Sequence, residues 1–180
     1  DLEEVLEDLR RLMEEVKRRI ERTIEEDKRL LDEVERRIRE TIRRDRELLK
    51  EAERDLREKR VDERLMDTVR RVSEESVRRN EKLLREVKRV SEESIKINED
   101  LLKEVTRVAK EVLKIIRRSD KRDKIRKVRK ELREIIDRIR RESERSLEES
   151  RRVIEKIDEK SKRTLEESRR VIEEIKEKAR

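Results

Sequence analysis

The chain has 180 residues, of which 61% are Asp, Glu, Lys or Arg, and it contains no Gly, Pro, Cys, His, Phe, Tyr or Trp. Gly averages about 7% of residues in natural proteins, so its absence here has a chance on the order of one in a million. The net charge of +7 comes from 58 basic and 51 acidic residues that are closely interleaved. Interleaved charge without aromatic side chains does not form a nucleic-acid-binding groove, so we expect no nucleic-acid partner.

The apolar residues make up only 30% of the chain. Such a fraction also suits a disordered chain, but here the apolar residues recur at helical spacing, which predicts folded helices. No apolar run approaches the length of about 20 residues that spans a membrane, and no signal-peptide pattern opens the sequence. We therefore expect a soluble chain with no membrane partner.

The helix starts are predicted from Asp residues, because Gly and Pro are missing. Asp1, Asp62 and Asp123 recur at one spacing, and each is a candidate N-cap whose carboxylate accepts from the first N–H groups of a helix. Val61 precedes Asp62 and is placed to pack on Met66 as a hydrophobic staple. For the third helix, Asp120 is an alternative N-cap. The sequence thus predicts three helices, at about 1–58, 62–118 and 123–180, with connections near 59–61 and 119–122.

Each predicted helix carries an internal repeat of eighteen residues. Eighteen residues complete five helical turns, so a stripe kept in this repeat neither drifts around the helix nor requires supercoiling. The short connections force neighbouring helices to run antiparallel. The fold class is therefore predicted as all-α, a straight, nearly untwisted, up-down-up three-helix bundle forming one domain over 1–180, with helices of about 57 residues and about 85 Å. The repeated segments are RRIERTIEEDKRLLDEVE at 18–35 and RRIRETIRRDRELLKEAE at 36–53, RVSEES at 71–76 and 89–94, and LEESRRVIE at 147–155 and 165–173.

An apolar stripe runs along each predicted helix and covers about three positions in seven, the width expected for a helix with two partners. Its members include Leu2 in the first helix and Val153 and Val171 in the third. We expect these stripes to close one core within a single chain.

Polar residues interrupt the stripes at repeated positions. Asp27 and Asp45 lie on the seam of the first helix, Asn80 and Asn98 on that of the second, and Ser150 and Ser168 on that of the third. In one further copy of each repeat the equivalent residues are apolar, namely Leu9, Ile116 and Leu132. Further polar residues flank these positions: Thr23, Thr41, Ser73, Ser76, Ser91, Ser94, Ser143, Ser146, Ser161 and Thr164.

Counting from the helix starts groups these residues into two polar layers about 27 Å apart, beside one apolar layer. Carboxylates accept hydrogen bonds, amides donate and accept, and hydroxyls do either, so each layer has the chemistry to satisfy itself. Such buried networks specify register and pairing more than they add stability. The predicted structural layers are Thr23, Asp27, Ser91, Ser94, Asn98, Ser146 and Ser150 for one, and Thr41, Asp45, Ser73, Ser76, Asn80, Thr164 and Ser168 for the other.

Catalytic and metal-binding interpretations of these layers fit poorly. A Ser nucleophile needs a base such as His beside it, and the chain has no His. A hard cation needs several anionic oxygens, whereas each layer holds one carboxylate, Asp27 or Asp45. We expect no enzyme activity, no cofactor and no metal. A dry, ionised Asp27 is costly, which predicts solvent access or a raised pKa. The remaining alternative is that these residues lie partly in water at the stripe edge.

Segments such as RRESERSLEESRRVIEKIDEKSKRTLEESRRVIEEIKEKAR at 141–180 resemble de novo designed helical bundles built on parametric backbones with engineered hydrogen-bond networks. The resemblance covers the whole chain. It implies a monomeric structural scaffold without natural activity or localisation, soluble in the cytoplasm of an expression host. The alternative is a designed interaction module, a heterodimer or switch component, that exposes a helical face to a partner. Four leucines flank the stripes and either widen them toward a partner or pack on the chain's own helices: Leu30, Leu48, Leu83 and Leu101.

Overall fold

The computed structural model describes residues 2–118 and 121–179. Three α-helices make up almost all of this part of the chain: α1 (Leu2–Glu58), α2 (Glu63–Arg118) and α3 (Arg122–Lys178). They contain 57, 56 and 57 residues and pack pairwise as a three-helix bundle, with no strand among the described residues. The predicted fold class of three long helices is confirmed.

The chain divides into two compact units. Unit 1 comprises the described residues of Asp1–Arg29 and Ser91–Arg151, and unit 2 comprises those of Leu30–Val90 and Arg152–Arg180. Each unit therefore receives a segment from every helix.

Contacts between side chains give the helix directions in unit 1. On α1 and α3, Asp8 pairs with Arg129 at 3.4 Å and Glu26 with Arg151 at 2.9 Å, so residue numbers rise together and the helices are parallel. On α2 and α3, Glu104 pairs with Arg138 whereas Ser94 contacts Ser146, so these helices are antiparallel. Unit 1 thus has the predicted up-down-up order.

Unit 2 has the same order. Glu53 of α1 accepts from Arg70 of α2 at 3.4 Å, and Arg46 pairs with Glu81 at 3.6 Å, so α1 and α2 are antiparallel. Lys176 of α3 pairs with Asp55 of α1 at 3.3 Å, and Arg37 pairs with Asp158 at 2.9 Å, so α1 and α3 are parallel.

Each unit has its own apolar core. In unit 1, Leu9, Ile116 and Leu132 are at most 1% exposed and belong to one cluster, as expected for the predicted apolar layer. Unit 2 holds two clusters, one around Ile38 and one around Leu56.

Three predicted stripe members are exposed, so their assignment to the core was wrong. Leu2 is 41% exposed at the first residue of α1. Val153 and Val171 are 41% and 37% exposed. Each valine directly precedes a core isoleucine, and neighbouring residues on a helix point about 100° apart because a turn takes 3.6 residues.

Three of the four leucines that flank the stripes pack on the chain's own helices. Leu83 and Leu101 are buried core residues. Leu30 is partly buried and packs against the unit 2 core, and Leu48 is half-buried. The predicted stripes were therefore drawn too narrowly at these edges.

The first connection has the geometry of a Schellman motif. The N–H of Val61 donates to the carbonyl of Leu56 at 3.3 Å, and that of Arg60 donates to Arg57 at 3.1 Å. Arg60 lies in the left-handed region with φ of 52°, the position that Gly usually takes. Val61 also packs with Leu56 in one apolar cluster, which is the contact that accompanies this motif.

The predicted start of α2 is confirmed. The helix begins at Glu63, and Asp62 Oδ1 accepts from the N–H of Arg64 at 3.3 Å, as an N-cap does. Val61 and Met66 share an apolar cluster, which fits the expected staple.

The predicted N-cap of α3 was wrong. This helix begins at Arg122, and the carbonyl of Lys121 accepts from the N–H of Ile125 at 3.3 Å. Asp123 therefore lies inside the first turn, where its negative charge interacts favourably with the positive end of the helix dipole. The alternative cap Asp120, the first predicted cap Asp1 and the connecting residue Ser119 lie outside the described residues.

The turn predicts the effect of a single glycine. Arg60→Gly removes the clash of a side chain in the left-handed region and is expected to raise the free energy of unfolding by about 0.5–1 kcal/mol. Chemical denaturation measures the change. The matched control is Glu58→Gly, because Glu58 is the last residue of α1, and glycine in a helix is expected to lower the free energy of unfolding by up to about 1 kcal/mol. Equal effects of both substitutions would contradict the turn geometry.

Candidate functional site: two buried polar clusters

A carboxylate from α1 and hydroxyls from α2 and α3 meet inside unit 1. Asp27 is fully buried, and its Oδ2 accepts from Ser94 Oγ at 2.6 Å. The Oγ atoms of Ser94 and Ser146 lie 2.9 Å apart. All three helices thus contribute to one hydrogen-bonded group. We call it the Asp27 cluster, with members Asp27, Ser91, Ser94, Ser146 and Ser150.

The Asp27 cluster is not fully satisfied. Ser91 Oγ donates to the backbone carbonyl of Asp27 at 3.4 Å, which is a long bond. Asp27 Oδ1 and Ser150 Oγ are buried, and neither has an aligned hydrogen-bond partner. Ser150 nevertheless lies near enough to the carboxyl to affect its titration.

The equivalent group in unit 2 is the Asp45 cluster, with members Asp45, Ser73, Ser76, Thr164 and Ser168. Ser168 Oγ donates to Asp45 Oδ1 at 2.9 Å, and Ser73 Oγ donates to the Asp45 carbonyl at 3.4 Å. Ser76 Oγ donates to the carbonyl of Thr164 at 3.4 Å. Asp45 Oδ2 is buried without a partner. Each of the two carboxyls therefore accepts one aligned side-chain hydrogen bond, and its second oxygen is buried without a hydrogen-bond partner.

Among the cluster members, one residue type differs between the two units. Ser146 in unit 1 corresponds to Thr164 in unit 2. Thr164 donates to the carbonyl of Lys160 on its own helix at 2.8 Å, a bond that threonine commonly makes in helices. Ser76 contacts the Thr164 carbonyl, as Ser94 contacts the Ser146 carbonyl at 3.4 Å, but the contact between two hydroxyls is seen in unit 1 and not in unit 2.

The asparagines form separate pairs with serines of α3. Asn98 Oδ1 accepts from Ser143 in unit 1, and Asn80 Oδ1 accepts from Ser161 in unit 2. Each amide also donates to the carbonyl four residues earlier on α2. The layers predicted from the sequence grouped each Asn with an Asp, and they omitted the serines that bind it. The spacing could have identified Ser143 as a buried polar residue, because it precedes Ser150 by about two helical turns and so lies on the same face of α3.

The two predicted threonines of α1 do not join the clusters through their hydroxyls. Thr23 donates to the carbonyl of Arg19 at 3.0 Å, and Thr41 donates to that of Arg37 at 2.9 Å. Both are buried, but each is satisfied within its own helix.

Sequence reasoning missed a further buried carboxylate in unit 2, Asp158. Its Oδ2 pairs with Arg37 Nη1 at 2.9 Å and with Lys162 Nζ at 3.6 Å. Spacing gives a signal here too, because Asp158 lies four residues after the core residue Ile154 and three before Ser161. The paired cations distinguish it from Asp27 and Asp45.

Burial raises the pKa of both cluster carboxyls above the ordinary value of 3.8. For Asp27, the hydroxyls of Ser94 and Ser150 and the charge of Arg151 oppose the rise in pKa, whereas Glu26 adds to it. For Asp45, the hydroxyls of Ser76 and Ser168 oppose the rise in pKa. The protein therefore disfavours the charged form of both groups, as expected for carboxyls removed from water.

Comparisons with protein-family models, with curated proteins and with solved structures found no match. Within residues 2–118 and 121–179, no group of three or more acidic side chains is arranged to hold a metal ion. In the same ranges, no helix combines the length and the apolar character needed to cross a lipid bilayer.

The amide pair of unit 1 gives a testable prediction. Ser143→Ala leaves the buried Asn98 Oδ1 without its donor and is expected to lower the free energy of unfolding by about 1–3 kcal/mol. Adding Asn98→Leu removes the stranded oxygen and is expected to recover most of that loss. Asn98→Leu alone should cost less than Ser143→Ala, because a serine hydroxyl can turn to a carbonyl of its own helix. A double-mutant cycle by chemical denaturation measures the coupling, and additive effects would contradict the pairing.

The Asp27 cluster distinguishes two serines. Ser94→Ala removes the hydroxyl that bonds Asp27 Oδ2 and is expected to cost about 1–3 kcal/mol of stability. Ser150→Ala removes a hydroxyl without an aligned partner and, at a pH where Asp27 is ionised in the folded chain, should change stability by less than about 1 kcal/mol. Both substitutions delete one buried hydroxyl, so each is the control for the other in chemical denaturation. A larger loss for Ser150→Ala would contradict the observed bonding.

Proposed function

We propose that the chain is a designed structural scaffold, in which the buried polar clusters specify how the helices pair and in which register. One observation carries the proposal: the polar cluster occurs twice at the repeat spacing, whereas a further copy of the same positions is wholly apolar. The apolar copy replaces Asp27, Asn98 and Ser150 by Leu9, Ile116 and Leu132.

The energetics favour specificity over added stability. A well-formed buried network adds little net free energy, because its members also hydrogen-bond to water in the unfolded chain. A slip by one repeat sets a cluster carboxyl against apolar residues, and each stranded polar group then costs about 1–3 kcal/mol. The clusters therefore penalise wrong registers more than they reward the right one.

The proposal assigns no catalytic residue and no cofactor. The hydroxyls of Ser94, Ser146 and Ser76 have a carboxyl, a hydroxyl or a carbonyl as partner, and the sequence contains no imidazole and no thiol side chain. A serine nucleophile is usually activated by an adjacent base such as an imidazole, and the sequence contains no histidine.

A designed interaction module is the second candidate, and one observation favours it. Ile97 and Ile115 are 47% and 42% exposed on α2 and lie one repeat apart. A module of this kind assembles with a partner, whereas the scaffold is a monomer. The inward packing of Leu83 and Leu101 favours the scaffold, because these residues do not provide an open apolar face.

A variant of unit 1 that takes its residues from the apolar copy tests the scaffold proposal. It is expected to resist guanidinium better than the parent, yet to populate several registers. NMR spectra should show more than one amide signal per residue, and light scattering should show species above the monomer mass of 22.4 kDa. The substitutions are Asp27→Leu, Ser91→Ala, Ser94→Val, Asn98→Ile, Ser143→Ile, Ser146→Val and Ser150→Leu.

The matched control keeps a carboxylate in the cluster but moves it to α3, with Asp27→Ser and Ser150→Asp. This control is expected to remain a monomer with a single set of NMR signals, because all three helices still contribute polar partners. If the apolar variant is also a monomer with one set of signals, the Asp27 cluster does not specify register and the proposal fails for unit 1. If the parent chain itself is a dimer or larger, the interaction module takes its place.

A further inference from the structure

The carboxyl of Asp27 faces hydroxyls on two helices and little compensating charge. Ser94 of α2 and Ser150 of α3 lie beside it, and Ser146 of α3 contacts Ser94. The charges that act on it are those of Arg151 on α3 and Glu26 on α1, which pair with each other at 2.9 Å. The Arg151 cation is thus already engaged by a neighbouring anion.

The carboxyl of Asp45 is still more isolated from charge. Its neighbours are Ser76 of α2 and Ser168 of α3, together with the Ser73 hydroxyl at its backbone carbonyl. Across the described part of α1, α2 and α3, no charged side chain contributes to the titration of this group. A buried carboxylate without a cation needs several donors, and here only one aligned side-chain donor is present.

A proton would supply the donor that the Asp27 cluster lacks and would remove the charge from the isolated Asp45 carboxyl. In the Asp27 cluster the two unpartnered atoms are a carboxyl oxygen and the nearby Ser150 hydroxyl oxygen. In the Asp45 cluster the unpartnered atom is again a carboxyl oxygen. A neutral acid carries an O–H donor, which supplies a hydroxyl oxygen with the hydrogen bond that a carboxylate cannot donate.

We propose that Asp27 and Asp45 are proton-binding sites of the folded chain, each holding its proton between the three helices and releasing it when the chain unfolds. The inference rests on the proposed function, because it concerns the same two clusters. It adds that lowering the pH stabilises the folded chain through these clusters. The proton is the ligand, and its donors and acceptors are the cluster hydroxyls.

The direction of the pH dependence follows from the raised pKa of both groups. An unfolded Asp releases its proton near the ordinary value of 3.8, whereas the folded chain keeps it to higher pH. Between these two pKa values the folded state binds more protons, so stability rises as pH falls through the window and is lost as pH rises through the folded pKa. Below 3.8 both states are protonated, and these groups no longer change the stability.

Two measurements on the full chain test the proposal. In protein labelled with ¹³C at the Asp side chains, Asp27→Asn and Asp45→Asn assign the two carboxyl signals. Both signals are expected to titrate at higher pH than those of the exposed aspartates. Within the window, the unfolding equilibrium constant of the parent, relative to that of the double Asn variant, should change by about tenfold per pH unit for each carboxyl.

Asp32→Asn is the control, because it removes an exposed carboxylate from the same helix. If both cluster signals move with those of the exposed aspartates, and the stability profiles of the parent and the double Asn variant run parallel, the proton sites are refuted. That outcome leaves the register role untouched, since the apolar variant of unit 1 tests it at a single pH. Conversely, the two cluster signals could titrate at raised pH while the apolar variant of unit 1 keeps a single register. That result would refute the scaffold proposal and leave the proton sites standing.

Discussion

A carboxyl group that leaves water in the middle of three helices must find its donors on the other two. Asp27 and Asp45 both do so through serine hydroxyls of α2 and α3. No salt bridge relieves the requirement, in contrast to Asp158, which pairs with Arg37 and Lys162. Under the proposed role of the clusters, the relative positions of the helices within each unit depend on where one α1 carboxyl meets its partners. Apolar side chains supply most of the burial, but they tolerate small shifts that a hydrogen bond does not.

The eighteen-residue period of the sequence was enough to predict the three helices, because the face on which a helical residue lies depends on its spacing from the other residues of that helix. The number of helices, the lengths of the helices and the N-cap of α2 at Asp62 all follow from spacing and capping chemistry. The start of α3 does not, since several polar residues near 119–123 compete for one cap. The exposed valines Val153 and Val171 show the limit of a stripe drawn by pattern, because one residue along a helix separates the core from solvent.

The polar residues were easier to find than to pair. Their repeated interruption of the apolar stripe marks Asp27, Asn98 and Ser150 clearly, and the structure buries all three. Which atom meets which depends on side-chain rotamers and on differences of about one helical turn, neither of which the sequence encodes directly. Asn98 thus bonds Ser143, a residue left out of the predicted layers. A single methyl group separates Ser146 from Thr164, and it redirects a hydroxyl into its own helix.

The eighteen-residue repeat makes the chain divisible into interchangeable blocks. A block inserted at matching points in all three helices leaves every later side chain on the face that it already occupies, since eighteen residues are a whole number of turns. Each block can be written in one of two versions, the polar one around Asp27 or the apolar one around Leu9. A lengthened chain is then characterised by the order in which polar and apolar blocks follow one another along it. If the clusters specify pairing as proposed, chains with different orders of blocks share one backbone and one surface chemistry but differ in the helices with which they pair.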